Sequence, residues 1–285
     1  MEKKNSAWIY LAITILLWAS FPVAAKLLLK GLNSLQILFW AMPITAVFLF
    51  LVSIMQGKLG LIKSYKLKDY LNFLYLGFIG TFLAAVFLVS AYGFASAQEV
   101  SIINYFWPIA TIFFAALILK EKLTLRKILG ILLAFAGIII VVSPGITSLK
   151  FNLGWVLAFF NALSWGLFSV LAKKHNYESF TSMAFFYVSA FIFIIPCMLF
   201  TNFAVPAGNE WLGIIWVGIF TGGLGYVFWL LALKHGDTAK LSTAAYLVPF
   251  ISLIYIALIL KEQIMLASVI GLLLIVAGIL VQNKK

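Results

Sequence analysis

The chain has 285 residues, of which 65% are hydrophobic and only 10% charged. A soluble domain carries about 25% charged residues, so this composition excludes one. The net charge of +12 is that of basic residues flanking membrane helices on their cytoplasmic side, and no nucleic-acid partner is expected.

Apolar runs of about 20 residues, the length that crosses a bilayer core, recur along the chain. They fall near 7–29, 34–55, 70–92, 97–119, 125–143, 153–172, 180–201, 211–233, 239–260 and 264–282. Spanning backbone must satisfy its own hydrogen bonds, and runs such as 128–142 do not alternate, so helices are expected rather than a barrel. The first run lacks an A-x-A-like cleavage site and is read as a span. With the amino terminus in the cytoplasm, only Lys26, Lys30, Lys150 and Lys261 of the 20 basic residues lie outside. This asymmetry predicts ten spans with both termini cytoplasmic.

In the fourth span, Phe94 to Leu123 reads FASAQEVSIINYFWPIATIFFAALILKEKL. About 140 residues later, His235 to Ile264 reads HGDTAKLSTAAYLVPFISLIYIALILKEQI. With Pro108 set on Pro249, Ser101 meets Ser242, Tyr105 meets Tyr246, Lys120-Glu121 meets Lys261-Glu262, and Gly130 and Gly137 meet Gly271 and Gly278. The leading spans match too: Trp8 with Trp155, Trp18 with Trp165, Phe21 with Phe168, Lys26 with Lys173. The chain therefore reads as all-α and integral to the membrane, with ten transmembrane helices in two repeats, 1–145 and 150–285. Five spans per repeat is an odd number, so the second repeat must enter from the opposite face. Inverted repeats are the architecture of alternating-access transporters, with substrate held between them near the midplane.

Polar groups at membrane depth are the candidates for function. Glu99 reads either as a contact for a substrate amino group or proton carrier, or as an interfacial loop residue. Asn104 reads as a substrate contact or a helix-to-helix link. Trp107, three residues on, shares its face. Trp8 and Trp155 suit an interfacial belt, whereas Trp18 and Trp165 lie too deep for one and are expected to line a cavity. Tyr226 and Trp229, three apart, could complete an aromatic box. Pro108 and Pro249 are expected to kink their helices and serve as pivots. The paired glycines are expected to let helices approach closely. Lys120-Glu121 and Lys261-Glu262 read as end-capping and anchoring charges.

The ten spans, the five-plus-five repeat and the P…L-K-E followed by G-x6-G in each half resemble the drug/metabolite transporter superfamily, EamA family. Within it, Glu99-Val100 through Asn104-Tyr105-Phe106-Trp107-Pro108 is similar to the E-V-x3-N-Y-x-W-P stretch of YddG-type aromatic amino acid exporters. Gly225-Tyr226 with Trp229 is similar to their eighth span. The resemblance implies transport of amino acids or other small metabolites across the cytoplasmic (inner) membrane, with export favoured and import of a nucleotide-like or other metabolite as the alternative. A monomer or weak dimer is expected, with proton coupling or facilitated diffusion both open.

Other chemistries find little to work with. There is no G-x4-G-K-[ST] loop for ATP. Two histidines, His175 and His235, and no H-E-x-x-H leave a membrane lipid-processing enzyme poorly supported. The single cysteine, Cys197, cannot form an intrachain disulfide. No cofactor or metal is expected, and the chain reads as a non-enzyme.

Overall fold

The computed structural model describes residues 2–91, 94, 100, 103–142, 153–260 and 266–283. Glu99, Ser101, Lys261 and Glu262 fall outside the described residues. Those described are helical, with no strand among them. In chain order come α1 (Glu2–Leu28), α2 (Ser34–Met55), the short α3 (Leu59–Ser64), then α4 (Leu67–Gly77), which runs through a π-helical segment, Phe78–Leu83, into α5 (Ala84–Ala91). Next are α6 (Trp107–Ile118), α7 (Leu125–Val142), α8 (Leu153–His175) and α9 (Ser179–Cys197). Then α10 (Glu210–Ile215) runs through a second π segment, Trp216–Leu224, into α11 (Gly225–His235). The chain ends with α12 (Thr238–Ala244), α13 (Leu247–Tyr255) with a π extension over Ile256–Leu260, and α14 (Leu266–Asn283).

Seven helical stretches among the described residues are long and apolar enough to cross a membrane: Ser6–Ala25, Ser34–Met55, Leu67–Leu88, Leu153–His175, Ser179–Phe200, Glu210–His235 and Thr238–Ile259. Helices α6, α7 and α14 stand where the remaining spans are expected. Large apolar side chains also point outward, Leu117 being 66% and Leu273 64% exposed. A soluble surface avoids such a coat, whereas lipid accommodates it.

Local chemistry sets the helix ends. Asn33 caps α2: its side chain accepts from Gln36 N at 3.0 Å, and Gln36 Oε1 accepts from Asn33 N at 2.7 Å. Glu178 caps α9 through Thr181 N, and Asp237 caps α12 through Lys240 N. These side chains satisfy amides that a helix start leaves open.

The kink expected at each proline is instead a break just ahead of it. A turn at 105–106 interrupts the helix, Phe106 N donates to Ile103 O, and Pro108 sits in the first turn of α6. A turn at 245–246 likewise separates α12 from α13, which carries Pro249 in its first turn. A proline lacks the N–H and crowds the carbonyl four residues back, so a helix starts more readily at it than continues through it.

Packing interleaves the two halves. Helix α1 lies against α11, α13 and the π segment 216–224, while α8 lies against α5, α6 and the π segment 78–83. Helix α2 packs on α9, and α7 on α14. In the last pair a Cβ on Gly137 would come 2.6 Å from Gly271 O, and one on Gly278 would come 2.5 Å from Gly130 O. Rising positions on α7 face falling ones on α14, so the two helices are antiparallel at a crossing only glycine permits.

The ends of the bundle differ. One carries Lys58, Glu121, Lys127, Lys173, Glu178 and Asp237, and we call it the basic end. At the other, Asn33 Nδ2 donates to Thr201 Oγ1, Gln36 Nε2 to Asn202 O, and Trp40 Nε1 to Ala204 O.

Candidate functional site

A cavity of about 200 Å³ opens between the two halves, at mid-bundle and toward the end away from the basic one. Helix α1 contributes Trp18 and Phe21, α2 Leu38 to Thr45, the α4–α5 rod Thr81 to Leu88, and α6 Trp107. From the second half come Asn161 and Trp165 on α8, Tyr187 on α9, and Val217 to Tyr226 on the α10–α11 rod. Asn104, just ahead of the break before α6, also lines it. The wall is mostly aromatic and aliphatic, and no described lining residue is charged.

Trp18 is the hub of the aromatic wall. Its ring centre lies 6.0 Å from Trp107, 5.8 Å from Trp165 and 5.6 Å from Tyr226, in edge-on geometries. Trp165 and Tyr226 approach to 4.4 Å, and Tyr187 stands 6.1 Å from Tyr226. Edge-to-face contacts of this kind add to area burial and hold the rings at fixed angles.

The π segment in the α10–α11 rod anchors that wall. Widening the helix frees carbonyls from the regular ladder. Trp18 Nε1 donates to Thr221 O at 3.2 Å, and Thr45 Oγ1 donates to Gly218 O at 2.8 Å. In the other half, Thr81 Oγ1 donates to Phe186 O at 2.9 Å. Thus cavity-lining side chains of one helix are tied to the backbone of another.

Among the sequence candidates, Trp18, Asn104, Trp107, Trp165 and Tyr226 come together on this one cavity. Trp229 does not join the lining. It is fully buried behind the wall, 5.2 Å from Trp107, with Nε1 donating to Ser169 Oγ at 3.0 Å. It sits about one turn further along α11 than Tyr226, toward the basic end, and supports the box without facing the space. Pro108 and Pro249 stand outside the lining, beside the helix breaks. Glu99 lies outside the described residues.

Sequence reasoning passed over Asn161. Its amide donates to Asn104 Oδ1 across the interface between the halves, and it is 5% exposed. The signal was available: Asn161 precedes Trp165 by four residues, one helical turn, and so shares its face. Tyr187 and the threonines 45, 81 and 221 are also additions, and isolated hydroxyls in apolar runs give no pattern to find them by.

The model of the EamA-like transporter family matches twice, over residues 5–143 and 152–283. The chain belongs to the EamA-like transporter family. It is similar to a transporter of Archaeoglobus fulgidus, 28% identical over 96% of each chain. It is similar to the transporter YyaM of Bacillus subtilis, 29% identical over 78% of this chain and 75% of that one. It is also similar to the aromatic amino acid exporter YddG of Ancylobacter novellus, 26% identical over 62% of this chain and 63% of that one. A crystal structure at 22% identity superposes with a TM-score of 0.87 over 98% of this chain and 97% of the other, which shows a shared fold. As an EamA-like transporter, the protein is a multi-pass membrane protein whose cargo is a small molecule.

Proposed function

We propose that this EamA-like protein is a secondary transporter that exports amino acids or similar small metabolites across the cytoplasmic membrane by alternating access. The observation that carries the reading is the cavity itself. It lies between the two halves, walled by Trp18, Trp107, Trp165 and Tyr226 and carrying the Asn104–Asn161 amide pair. Aromatic faces suit an apolar or aromatic side chain, and the amides can donate to a carboxylate and accept from an ammonium. With no charged side chain among the described lining, a solute of no net charge, such as a neutral amino acid zwitterion, fits best. Export follows the similarity to the YddG exporter.

Ten crossings with both termini and the basic end in the cytoplasm remain our reading of the topology. Two features support the inverted repeat. Equivalent helices α7 and α14 cross antiparallel, Gly130 facing the twin of Gly137 and the reverse. The loops that follow equivalent helices α1 and α8 lie at opposite ends of α9, Asn33 at Thr201 and Asn176 beside Glu178.

Proteoliposomes holding the purified protein should show saturable flux of labelled phenylalanine or another neutral amino acid. A broad panel of amino acids and metabolites that all stay put would defeat the reading. The described lining holds no carboxylate, so proton coupling rests on Glu99. Flux through Glu99→Gln that kept its pH dependence would remove that role.

A further inference from the structure

The sequence treats Lys120-Glu121 as an anchoring pair at a span end, but Glu121 is the centre of a contact between the halves. Its Oε1 accepts from Lys173 Nζ at 2.8 Å and from Thr238 Oγ1 at 2.7 Å. Lys173 Nζ also donates to Thr238 Oγ1 at 2.8 Å and to Gly236 O at 3.2 Å. The threonine hydroxyl thus donates once and accepts once, and the node is closed on itself. Lys120, at φ +56°, turns the chain out of α6 so that Glu121 faces α8. On either side stand Lys127–Asp237 and Lys58–Glu178, both at 2.6 Å.

Each of these three ion pairs joins the first half to the second, and all lie at the basic end. Between them and the cavity lie Phe168, Phe186 and Trp229, all fully buried. Lys173 is eight residues past Trp165, about 12 Å further along α8.

We propose that Glu121, Lys173 and Thr238, flanked by the two other cross-half pairs, form a latch that holds the basic end shut, and that its release exposes the cavity to that side. This rests on the alternating-access reading above. The physical reason is reversibility. Partly exposed ion pairs exchange protein partners for water at little net cost, unlike an apolar seam. Separating the halves at this end must break all three together. Two of the acids, Glu178 and Asp237, cap the first turns of α9 and α12, so the latch grips helix starts, where small tilts move it most.

The test uses the full chain with Cys197→Ser and one new cysteine at a time, labelled by an impermeant thiol reagent from each face in oriented vesicles. Ala172→Cys, buried beside Lys173, reports on the basic end, and Ala85→Cys reports on the cavity. With the latch intact, Ala85→Cys should label from the far face and Ala172→Cys should be protected. Adding Glu121→Gln or Lys173→Met should raise Ala172→Cys labelling from the basic face about tenfold. The double variant should go no further than the larger single, because both remove one link. Unchanged protection in all three, with Ala85→Cys still labelled, would overturn the latch and leave the transport reading standing. Labelling of Ala85→Cys from neither face would instead strike at the transport reading. If Glu121→Gln loses its fold, Lys58→Met at the rim carries the same expectation, and unchanged protection there overturns the latch.

Discussion

The polar content of the cavity is concentrated in one amide pair, and this gives the sharpest test of what the site holds. Asn161→Ala leaves Asn104 facing the cavity without its partner. Losing a buried polar partner costs about 1–3 kcal/mol. For a zwitterionic substrate this should raise KM by roughly tenfold while an uncharged apolar analogue is little affected; an equal effect on both in proteoliposome flux would make the pair purely structural. A second residue is under backbone strain. Lys120 adopts φ +56°, and Glu121 N donates to Ala115 O in the manner of a helix terminated by a left-handed residue. A non-glycine residue there costs about 1–2 kcal/mol. Lys120→Gly should therefore raise thermal stability, visible as a higher melting temperature in detergent, with Glu121 still placed on Lys173. At this scale the sequence was uneven. Trp18 and Trp165 stood out because they lie too deep for an interfacial belt, and Trp107 because it shares a face with Asn104. Trp229 misled, since a three-residue spacing places it near Tyr226 without saying which side of the wall it occupies. Glu121 was undervalued because its partners Lys173 and Thr238 lie 52 and 117 residues away.

Among the elements, hydropathy found the long apolar stretches, and some helix ends agree with the expected limits, as for α2 at 34–55, whereas α6 starts at Trp107. Apolar length is a property of a single stretch, so it is legible without knowing the neighbours. The π segments and the breaks before Pro108 and Pro249 were not legible, because they depend on what packs alongside. Thr45 and Trp18, from other helices, take up the carbonyls of the 216–224 segment. The glycine pattern was legible in kind, since seven-residue spacing keeps one face. It did not reveal that Gly137 meets Gly271 and Gly278 meets Gly130. That crossing makes a firm prediction. A Cβ on Gly278 would fall 2.5 Å from a backbone carbonyl that cannot step aside. Gly278→Val should part α7 from α14 and destabilise the fold by about 1–3 kcal/mol or more, as overpacking does. A melting temperature equal to the parent's would show that the two helices do not cross so closely.

Over the whole molecule, the apolar cavity and the charged basic end divide the labour, and pH separates their contributions. Asp237 and Glu178 carry the two outer pairs. Burial pushes both carboxyls up, but hydrogen bonds from Lys127 and Lys240 N to Asp237, and from Lys58 and Thr181 to Glu178, outweigh it and hold both below their ordinary values of 3.8 and 4.5. A carboxyl held low in the folded protein favours the closed arrangement fully above its ordinary value and loses that effect only as pH falls through the lowered one. Lys127 and Lys240 face Asp237, while Lys58, Lys234 and Tyr65 surround Glu178. Burial and the Glu178 charge push Tyr65 up to about 12, so it stays neutral across the range of interest. The basic end should therefore keep Ala172→Cys protected through neutral and mildly acidic pH and lose protection only as pH falls below the ordinary carboxyl values of 3.8 and 4.5, where these carboxylates take up protons. The order of events also matters: acid should open the basic end before it unfolds the apolar core, because Phe168, Phe186 and Trp229 hold no titrating group. A rise in labelling centred near neutral pH would show that Asp237 and Glu178 do not control this end.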